Sequence, residues 1–520
     1  MSRTYYVTTP IYYVNDAPHI GHSYTTIAAD VLARFFRADG RDVRFLTGTD
    51  EHGIKIVKAA AANGVSPREL ADSVVVHFQD LWKELDISND DFIRTSEPRH
   101  EDRVREIIRR MVARGDIYLG KYEGWYDEGQ EEFVTESAAR DNGYKSEISG
   151  KPLARYSEDA YFFRLNKYVP RLVEHIKANP GFVLPEARRN EVLSKLEMGV
   201  PDLCISRLAE KLGGWGVRMP NDERFTAWVW IDALANYYTA LGLPEIGRGD
   251  DGKLARYWPA DVHLVGKDIL WFHSVHWPCF LMSIDVPLPK CVFAHGWWMA
   301  EGMKMSKTLN NFISRDDIAE VCRTYSVDVY RYFLLRAVPF GADGDFSRDQ
   351  LKLRYNADLA NAIGNLLSRT VQMIGKYFDG AVPACGPTGE MEAGVLAAAA
   401  DLHGTAVGLM ETCGFYAYLE KVLSLAAAAN RYIDVTAPFK LAKDPAQKDR
   451  LATILYTCAE AVRIILLYLG PVMPKTVVAG LEQLGWAPPA GSTIQDIGRW
   501  GVLPAGAKTR KGQGLFPRKT

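Results

Sequence analysis

Cysteine is scarce in this sequence, and its few copies are scattered. There are seven cysteines among 520 residues, and no Cys-x-x-Cys pair occurs. Disulfide frameworks and cysteine-ligated zinc sites need cysteines in pairs or clusters, so the sequence argues against both. Scattered thiols fit a reducing compartment, and we expect the protein to be cytoplasmic.

A surplus of positive charge is also absent. The chain has 62 Lys and Arg residues against 64 Asp and Glu residues, which gives a formal net charge of -2. No global basic field indicates nucleic-acid binding, so any RNA contact must use local patches. The 47% hydrophobic and 24% charged residues are typical of a soluble globular protein. The length suggests about three domains.

No stretch of the sequence is typical of a membrane span or a signal peptide. The most apolar stretch, residues 451–473, contains Glu460 and Arg463 and ends at Gly470-Pro471. A buried helix of a bundle explains this stretch better than a membrane span. Strand-like Tyr5-Tyr6-Val7 comes so early that we expect no signal peptide.

Strand-like and helix-like patterns alternate over the first part of the chain. Residues 4–11 read as a strand, and the apolar spacing in residues 23–37 predicts a helix. Ser66-Pro67-Arg68-Glu69 has the form of a capping box that opens another helix. Such alternation predicts an α/β fold with a doubly wound, Rossmann-type parallel sheet.

The alternation is interrupted once and then stops. Residues 117–222 have short, turn-rich patterns, which predict an insertion that splits the sheet. Strand-like segments return at 227–231, 263–265 and 291–294, whereas helical patterns alone follow residue 348 and predict an all-α bundle. The predicted domains are the first half of the sheet domain (1–116), the insertion (117–222), the second half (223–295), a linking segment (296–347), the bundle (348–490) and a tail packing back on the body (491–520).

Two short motifs carry the chemistry. Pro18-His19-Ile20-Gly21-His22 lies where the first strand ends and the first helix begins, which is where an open α/β sheet binds phosphates. Alone, His-x-x-His is as consistent with a metal pair or two surface histidines as with phosphate binding. Lys304-Met305-Ser306-Lys307-Thr308, alone, would be an ordinary solvated loop.

Together, these motifs resemble the two signature motifs of class I aminoacyl-tRNA synthetases. The surrounding residues resemble the methionyl-tRNA synthetase family along nearly the whole chain. The resemblance implies ATP-dependent attachment of methionine to initiator and elongator tRNA through methionyl-adenylate, with Mg²⁺ accompanying ATP. Thr308 departs from the serine that is more usual in the family and keeps the hydroxyl group.

The reaction needs alignment and positive charge rather than a base, because the attacking carboxylate is already ionised at neutral pH. The resemblance makes the catalytic residues His19, His22, Lys304 and Lys307. It implies that ATP is bound by His19, Gly21, His22, Gly266, Asp268, His295, Gly296, Lys304, Ser306 and Lys307, with Asp268 accepting from the ribose hydroxyls.

The amino-acid pocket also follows from the resemblance. Helical stripes such as Trp230, Ala233 and Tyr237 are, by spacing alone, more typical of plain core. In the family, the matching positions that line the methionine site are Ile11, Tyr13, Asp50, Trp230, Ala233, Leu234, Tyr237, Ile269 and His273. Asp50 would bind the ammonium group, and Tyr13 and His273 could reach the sulfur atom.

Related synthetases carry a zinc knuckle in the insertion. By resemblance, the ligand positions here hold Asp127, Gln130, Ser146 and Ser149. None of them is a thiolate or an imidazole, so we expect a metal-free knuckle and no structural zinc.

For RNA, Asn361, Asn365 and Arg369 form a polar stripe that, as a stripe, is more often a solvated face. Within Gly-Asn-Leu-Leu-Ser-Arg the stripe resembles the anticodon-reading helix of the family, with Asn365 and Arg369 contacting bases. Phe439 replaces the family's usual stacking tryptophan. No appended dimerisation domain follows the bundle, so we expect a monomer.

Three rival interpretations remain: a synthetase for another apolar or sulfur amino acid, a tRNA-binding protein that has lost catalysis, and a nucleotidyltransferase without RNA. The Trp230, Tyr237 and His273 pocket argues against the first, and intact histidines and lysines at both motifs argue against the second. The third leaves the helical domain unexplained.

Overall fold

The computed structural model describes residues 3–130, 132–245, 252–300, 303–304 and 313–519. The chain divides into two compact units, each of them discontinuous in sequence. The sheet unit comprises residues 4–18 and 43–295. The bundle unit comprises residues 1–3, 19–42 and 296–520.

The strands of the described residues are β1 (Thr4–Tyr13), β2 (Asp42–Asp50), β3 (Asp91–Arg94), β4 (Ile117–Asp127), β5 (Glu132–Val134), β6 (Ala154–Phe163), β7 (Val183–Leu184), β8 (Leu203–Cys204), β9 (Ser206–Leu208), β10 (Phe225–Ala227), β11 (Val262–Gly266), β12 (Val292–His295), β13 (Trp298–Ala300), β14 (Met303–Lys304) and β15 (Gly344–Phe346).

The α-helices are α1 (Ile20–Ala38), α2 (Ile54–Ala62), α3 (Pro67–Glu84), α4 (Pro98–Ala113), α5 (Glu136–Asp141), α6 (Leu165–Ala178), α7 (Glu186–Glu197), α8 (Val229–Thr239), α9 (Trp277–Ser283), α10 (Arg315–Thr324), α11 (Val327–Arg336), α12 (Arg348–Arg354), α13 (Asn365–Tyr377), α14 (Glu390–Glu411), α15 (Phe415–Thr436), α16 (Pro438–Leu441), α17 (Lys448–Leu469), α18 (Pro474–Gln483) and α19 (Ile494–Ile497). Two π-helical segments are Phe272–His276 and Tyr355–Gly364.

A six-stranded sheet organises the sheet unit, in the order β3-β2-β1-β11-β12-β7. The pairs β2–β3, β1–β11, β11–β12 and β12–β7 are parallel. In the pairing of β1 with β11, Val7 lies opposite Val262. Strands from before and after the insertion therefore lie side by side, and the predicted α/β fold with a split parallel sheet is confirmed.

The insertion contains its own sheet, in the order β5-β4-β6-β8, and its pairs are antiparallel. Val183–Leu184, within the predicted insertion, forms the edge strand of the main sheet instead. The strand predicted at residues 227–231 is wrong. Phe225–Ala227 pairs with β9 in a two-stranded sheet, and helix α8 already begins at Val229.

The helices predicted after residue 348 are confirmed in the bundle unit, where α13, α15 and α17 pack on one another. The helical stretch Pro445–Leu469 is long and apolar enough to cross a membrane, yet 94% of its apolar window is buried inside the protein. Glu460 and Arg463 on this helix form a fully buried ion pair, with the two N–O distances both 2.7 Å. The expectation of a buried bundle helix is therefore confirmed.

Helix α1 belongs to the bundle unit, although it follows the first strand in sequence. The Ser23 and Tyr330 hydroxyl groups lie 2.7 Å apart in the core. Nη2 of Arg331 donates to Asp30 across 2.6 Å, and both side chains are fully buried. The same guanidinium group also donates to the carbonyl groups of residues 471 and 472. Helices α1 and α11 thus share a hydrogen-bonded core with the bundle.

Candidate active site

The two histidines of the first motif cap helix α1. Nδ1 of His19 accepts from the backbone N–H of Gly21 across 3.0 Å, and Nδ1 of His22 accepts from the backbone N–H of His19 across 3.1 Å. The ring centroids are 3.9 Å apart. Because Nδ1 is an acceptor in both rings, the proton of each neutral imidazole lies on Nε2. Burial and the neighbouring His19 lower the pKa of His22 well below its usual range, so this ring is neutral at physiological pH.

Gly21 is required by this capping geometry. A Cβ atom at this position would lie 2.9 Å from Cε1 and 3.2 Å from Nδ1 of His19. An alanine would therefore push the His19 ring away from the helix terminus. The glycine lets the ring fold back over the first turn and accept its hydrogen bond.

In the sheet unit, three of the residues predicted to bind ATP come together at the ends of β11 and β12. Gly266 lies opposite His295 in the parallel pairing. A Cβ on Gly266 would lie 2.4 Å from a carboxylate oxygen of Asp268 and 3.9 Å from the His295 ring. The carboxyl ends of parallel strands are where open α/β sheets bind ligands.

Gly296 begins the next stretch of the bundle unit. A Cβ at this position would lie 2.1 Å from the backbone oxygen of Ala342, so only glycine permits this approach of two backbone segments. The backbone of Lys304 pairs with Met299 in the β13–β14 hairpin. Ser306 and Lys307 lie outside the described residues.

The residues of α8 that are predicted to bind methionine lie next to His273, which is part of a π-helical turn. The hydroxyl group of Tyr237 lies 2.7 Å from Nε2 of His273, and the two rings are 5.6 Å apart. The His273 ring also approaches Trp230 edge-on, at 6.3 Å between centroids. Ala233 and Leu234 are buried on the same helix. Ile11, Tyr13 and Ile269 pack against the core cluster that contains Leu234 and Tyr237.

Sequence reasoning missed Phe272 as part of this wall. Its ring stacks on Trp230 with a centroid distance of 3.8 Å and an interplanar angle of 6°. The π-helical turn at Phe272–His276 places both Phe272 and His273 toward Trp230. Regular helical spacing does not predict such a turn, although such turns are frequent at functional sites.

Asp50, the predicted partner of the ammonium group, is buried at the end of β2. Its backbone carbonyl accepts from the N–H of Val14, which follows Tyr13. The next residue, Glu51, is fully buried and accepts hydrogen bonds from Thr49 and Arg94. This network fixes the backbone that carries Asp50.

The four knuckle positions are held by hydrogen bonds within their own turns. Oδ1 of Asp127 accepts from the backbone N–H groups of Gly129 and Gln130, across 2.7 Å and 3.2 Å. Oγ of Ser146 accepts from the backbone N–H of Ser149 across 3.0 Å. Over the described ranges, no group of three or more His, Cys, Asp or Glu side chains is placed to hold a metal ion.

In the bundle unit, the predicted RNA-binding residues lie on the surface. Asn365 begins α13 and is exposed, while Leu359, Ile363 and Leu366 are buried. Arg369 forms an ion pair with Asp434 across 3.0 Å. Phe439, five residues beyond Asp434, has 49% of its surface exposed.

Comparisons with known proteins agree on one family. The family model "tRNA synthetases class I (M)" matches residues 5–143 and 142–371. The methionine–tRNA ligase of Caldanaerobacter subterraneus is 46% identical over 523 residues, which cover 100% of this chain and 79% of the relative. The methionine–tRNA ligase of Streptomyces coelicolor is 45% identical, over 99% of this chain and 97% of the relative. The structure of Mycobacterium tuberculosis methionyl-tRNA synthetase in complex with methionyl-adenylate matches with a TM-score of 0.92 and 42% identity, over 99% of this chain and 100% of that chain.

Proposed function

The chain belongs to the methionyl-tRNA synthetases of class I, and on this premise we propose how its residues join methionine to tRNA. In the first step, a carboxylate oxygen of methionine attacks the α-phosphorus of ATP. The bond to the β-phosphate breaks, which yields methionyl-adenylate and pyrophosphate. In the second step, a terminal ribose hydroxyl of the tRNA attacks the methionyl carbonyl carbon, and AMP leaves.

His19 and His22 bind the phosphates of ATP. Their Nδ1 atoms accept backbone N–H groups, so each ring directs an Nε2–H donor away from the helix terminus. The positive end of the α1 dipole adds to this preference for an anion. Two neutral donors stabilise charge that builds on the phosphates without themselves losing a proton. This capping geometry is the observation that carries the proposal.

The residues that contact the ribose and the leaving pyrophosphate are assigned from the family pattern. Asp268 accepts from the ribose hydroxyls, beside Gly266, His295 and Gly296. Lys304 and Lys307, with Ser306, supply mobile positive charge to the phosphates and the leaving pyrophosphate. Mg²⁺ accompanies ATP as the counterion of the phosphates.

Methionine binds in the sheet unit. Asp50 pairs with its ammonium group, and the wall formed by Trp230, Ala233, Leu234, Tyr237 and His273 encloses the side chain, together with Ile11, Tyr13 and Ile269. A flexible thioether packs well against aromatic rings. The close stacking of Trp230 on Phe272 supports this assignment, because it presents a preformed aromatic surface.

The bundle reads the anticodon through Asn365, Arg369 and Phe439. Unpaired loop bases are recognised by hydrogen bonds and by stacking on aromatic rings. An exposed amide, a guanidinium group and a half-exposed phenyl ring supply these contacts. We further propose that the enzyme is a cytoplasmic monomer that charges both initiator and elongator tRNA.

The test is ATP–pyrophosphate exchange with each of the twenty amino acids, without tRNA. Exchange with methionine alone is the expected result. Exchange with another amino acid would support the synthetase activity but refute the assignment of the pocket to methionine. If exchange is absent both without and with tRNA, the chain is the non-catalytic RNA binder.

A further inference from the structure

A fully buried carboxylate in the sheet unit bridges two histidines. Oδ2 of Asp232 lies 2.7 Å from Nδ1 of His52, and Oδ1 lies 2.8 Å from Nε2 of His100. The side chains of Asp232, His52 and His100 are 1%, 2% and 0% exposed. A carboxylate only accepts, so both imidazoles donate to it. We call these three residues the Asp232 cluster.

The Asp232 cluster has further partners on two helices. Nδ1 of His100 lies 2.7 Å from the hydroxyl group of Thr239, at the end of α8. Nε2 of His52 lies 3.7 Å from a carboxylate oxygen of Glu101 on α4. Despite burial, the two imidazoles lower the pKa of Asp232 to about 2. The cluster therefore contains a carboxylate that is charged at every physiological pH.

His52 connects the Asp232 cluster to Asp50, the predicted partner of the ammonium group. His52 lies two residues after Asp50, with Glu51 between them. The backbone N–H of Glu51 donates to Thr95, and its carbonyl accepts from the indole N–H of Trp215. The position of His52 is thus transmitted to Asp50 through a short and well-anchored stretch of backbone.

The other side is the methionine wall. Asp232 is on α8 between Trp230 and Ala233, five residues before Tyr237. Hydrogen bonds are directional, whereas apolar packing alone would allow a helix to slide or rotate by small amounts. The hydrogen bond that Asp232 accepts from His52 fixes the register of α8 against the strand end that bears Asp50, and the one that it accepts from His100 fixes α8 against α4.

Stability alone does not account for the cluster. Replacing a buried ion pair with well-packed apolar side chains is often neutral or stabilising, because desolvation of the charges offsets their attraction. A buried carboxylate that accepts from two imidazoles instead fixes the relative positions of the elements that carry these side chains. Fixed positions matter where the ammonium group and the thioether chain of one ligand must be held at a set separation.

We propose that Asp232 is a positioning residue for methionine: through His52 it sets the distance between the Asp50 carboxylate and the side-chain wall on α8. This inference rests on the proposed methionine pocket. Asp232 itself does not contact the substrate. Its effect is therefore confined to methionine and stronger for the ammonium group than for the side chain.

The test compares Asp232→Ala with Asp232→Asn in methionine-dependent ATP–pyrophosphate exchange. We expect Asp232→Ala to raise the KM for methionine about tenfold, with the KM for ATP unchanged within a factor of about two. An amide can accept from His52 and donate to the other tautomer of His100, so Asp232→Asn should recover most of the affinity. His52→Ala should resemble Asp232→Ala, and the double variant should be no worse than either single variant.

A ligand that lacks the ammonium group distinguishes a misplaced Asp50 from a general collapse of the methionine pocket. The inhibition constant of 4-(methylsulfanyl)butanoate against methionine should change less than about twofold in Asp232→Ala. The matched control is Asp116→Ala, since Asp116 is also fully buried and accepts from the hydroxyl groups of Tyr168 and Ser283. This control should lower the melting temperature without changing the KM for methionine.

Two outcomes would overturn the inference. An unchanged KM for methionine in Asp232→Ala and His52→Ala would show that the cluster does not position Asp50. A parallel rise in the KM for methionine, the KM for ATP and the inhibition constant would make Asp232 merely structural. If the unmodified enzyme shows no methionine-dependent exchange, the proposed function itself fails, which is a distinct result.

Discussion

The hydroxyl group of Tyr237 donates a hydrogen bond to Nε2 of His273, across 2.7 Å. The direction follows from the other ring nitrogen. Nδ1 of His273 lies 2.9 Å from the backbone carbonyl of Ile269, which can only accept, so Nδ1 carries the proton. Burial lowers the pKa of His273 to about 4, so the ring is neutral and Nε2 is an acceptor. Both ring nitrogens of His273 are thus hydrogen-bonded within the protein, so a thioether in the proposed methionine pocket would contact the ring and not an N–H group.

Tyr237→Phe tests this arrangement. Loss of the hydroxyl group leaves the buried Nε2 acceptor of His273 without its donor, at a cost of about 1–3 kcal/mol. We expect the KM for methionine to rise about tenfold in ATP–pyrophosphate exchange, with the KM for ATP unchanged. Tyr238→Phe, on the same helix and packed against Trp258, is the control. Equal effects of the two variants would contradict the assignment.

Gly21→Ala tests the cap on helix α1. The added Cβ would displace the His19 ring, which removes one of the two proposed phosphate donors from its place. Losing an oriented donor to a developing charge typically costs about a hundredfold in kcat. We expect a loss of that order in exchange, with equilibrium binding of methionine retained. Gly375→Ala, a helical glycine with no neighbouring atom within 4 Å of its added Cβ, should leave kcat unchanged.

Arg369→Gln separates RNA recognition from adenylate chemistry. The variant loses a cation that we assign to the anticodon, and it also loses the ion pair with Asp434. Charging of tRNA should fall at least about tenfold in kcat/KM, while exchange without tRNA should match the unmodified enzyme. Lys376→Gln, an exposed cation on the same helix, is the matched control. A loss of exchange in Arg369→Gln would show a folding defect instead.

Acid should destabilise the protein through its buried histidines. Burial lowers the pKa of His273 to about 4 and that of His276 to about 3, and it lowers the pKa of His263 well below its usual range. The unfolded chain takes up these protons near pH 6.5, so the unfolded state binds more protons and stability falls as the pH drops below that value.

By pH 5 each of these buried histidines should cost about 2 kcal/mol of unfolding free energy. Melting temperatures at pH 7.5, 6 and 5 would measure the trend. His276→Phe keeps the packing against Phe272 and removes the titration, so its melting temperature should fall less steeply with pH. His52 acts in the opposite direction, because Asp232 raises its pKa despite burial.

The knuckle should hold its shape without metal. Asp127 and Ser146 cap their own turns with side-chain hydrogen bonds, which supply the local order that zinc ligands give elsewhere. Elemental analysis of purified protein should find well under one zinc per chain, and treatment with a chelator should leave the melting temperature unchanged. One tightly bound zinc ion per chain would refute this expectation.

Helix caps and strand-to-helix junctions could be predicted from the sequence, because their geometry depends on a few consecutive residues. The capping box at Ser66 is present, with Oγ of Ser66 accepting from the N–H of Glu69 and the Glu69 carboxylate accepting in return. The first motif also lies at the predicted junction, where His19 is the N-cap of α1. Caps and strand-to-helix junctions depend on a few consecutive residues, so their signal is in the sequence itself.

Tertiary context explains what sequence reasoning missed. Residues 227–231 contain β-branched and aromatic side chains that favour a strand, yet packing turns Val229 onward into helix α8. Asp232 and its two histidine partners are 180 and 132 residues apart in sequence, and only the fold brings them together. Phe272 reaches Trp230 through a π-helical turn that regular periodicity does not encode.

The placement of helix α1 determines how the protein could be divided into separately expressed fragments. Residues 19–42 fold with residues 296–520, so no single break in the chain separates the two units. A fragment ending near residue 295 would remove the buried Arg331 guanidinium group from Asp30 and leave Arg34, on the same helix, as an ion-pair partner of that carboxylate. A two-piece version of this enzyme would therefore have to carry α1 on the same fragment as residues 296–520, which requires rearranging the order of the coding segments.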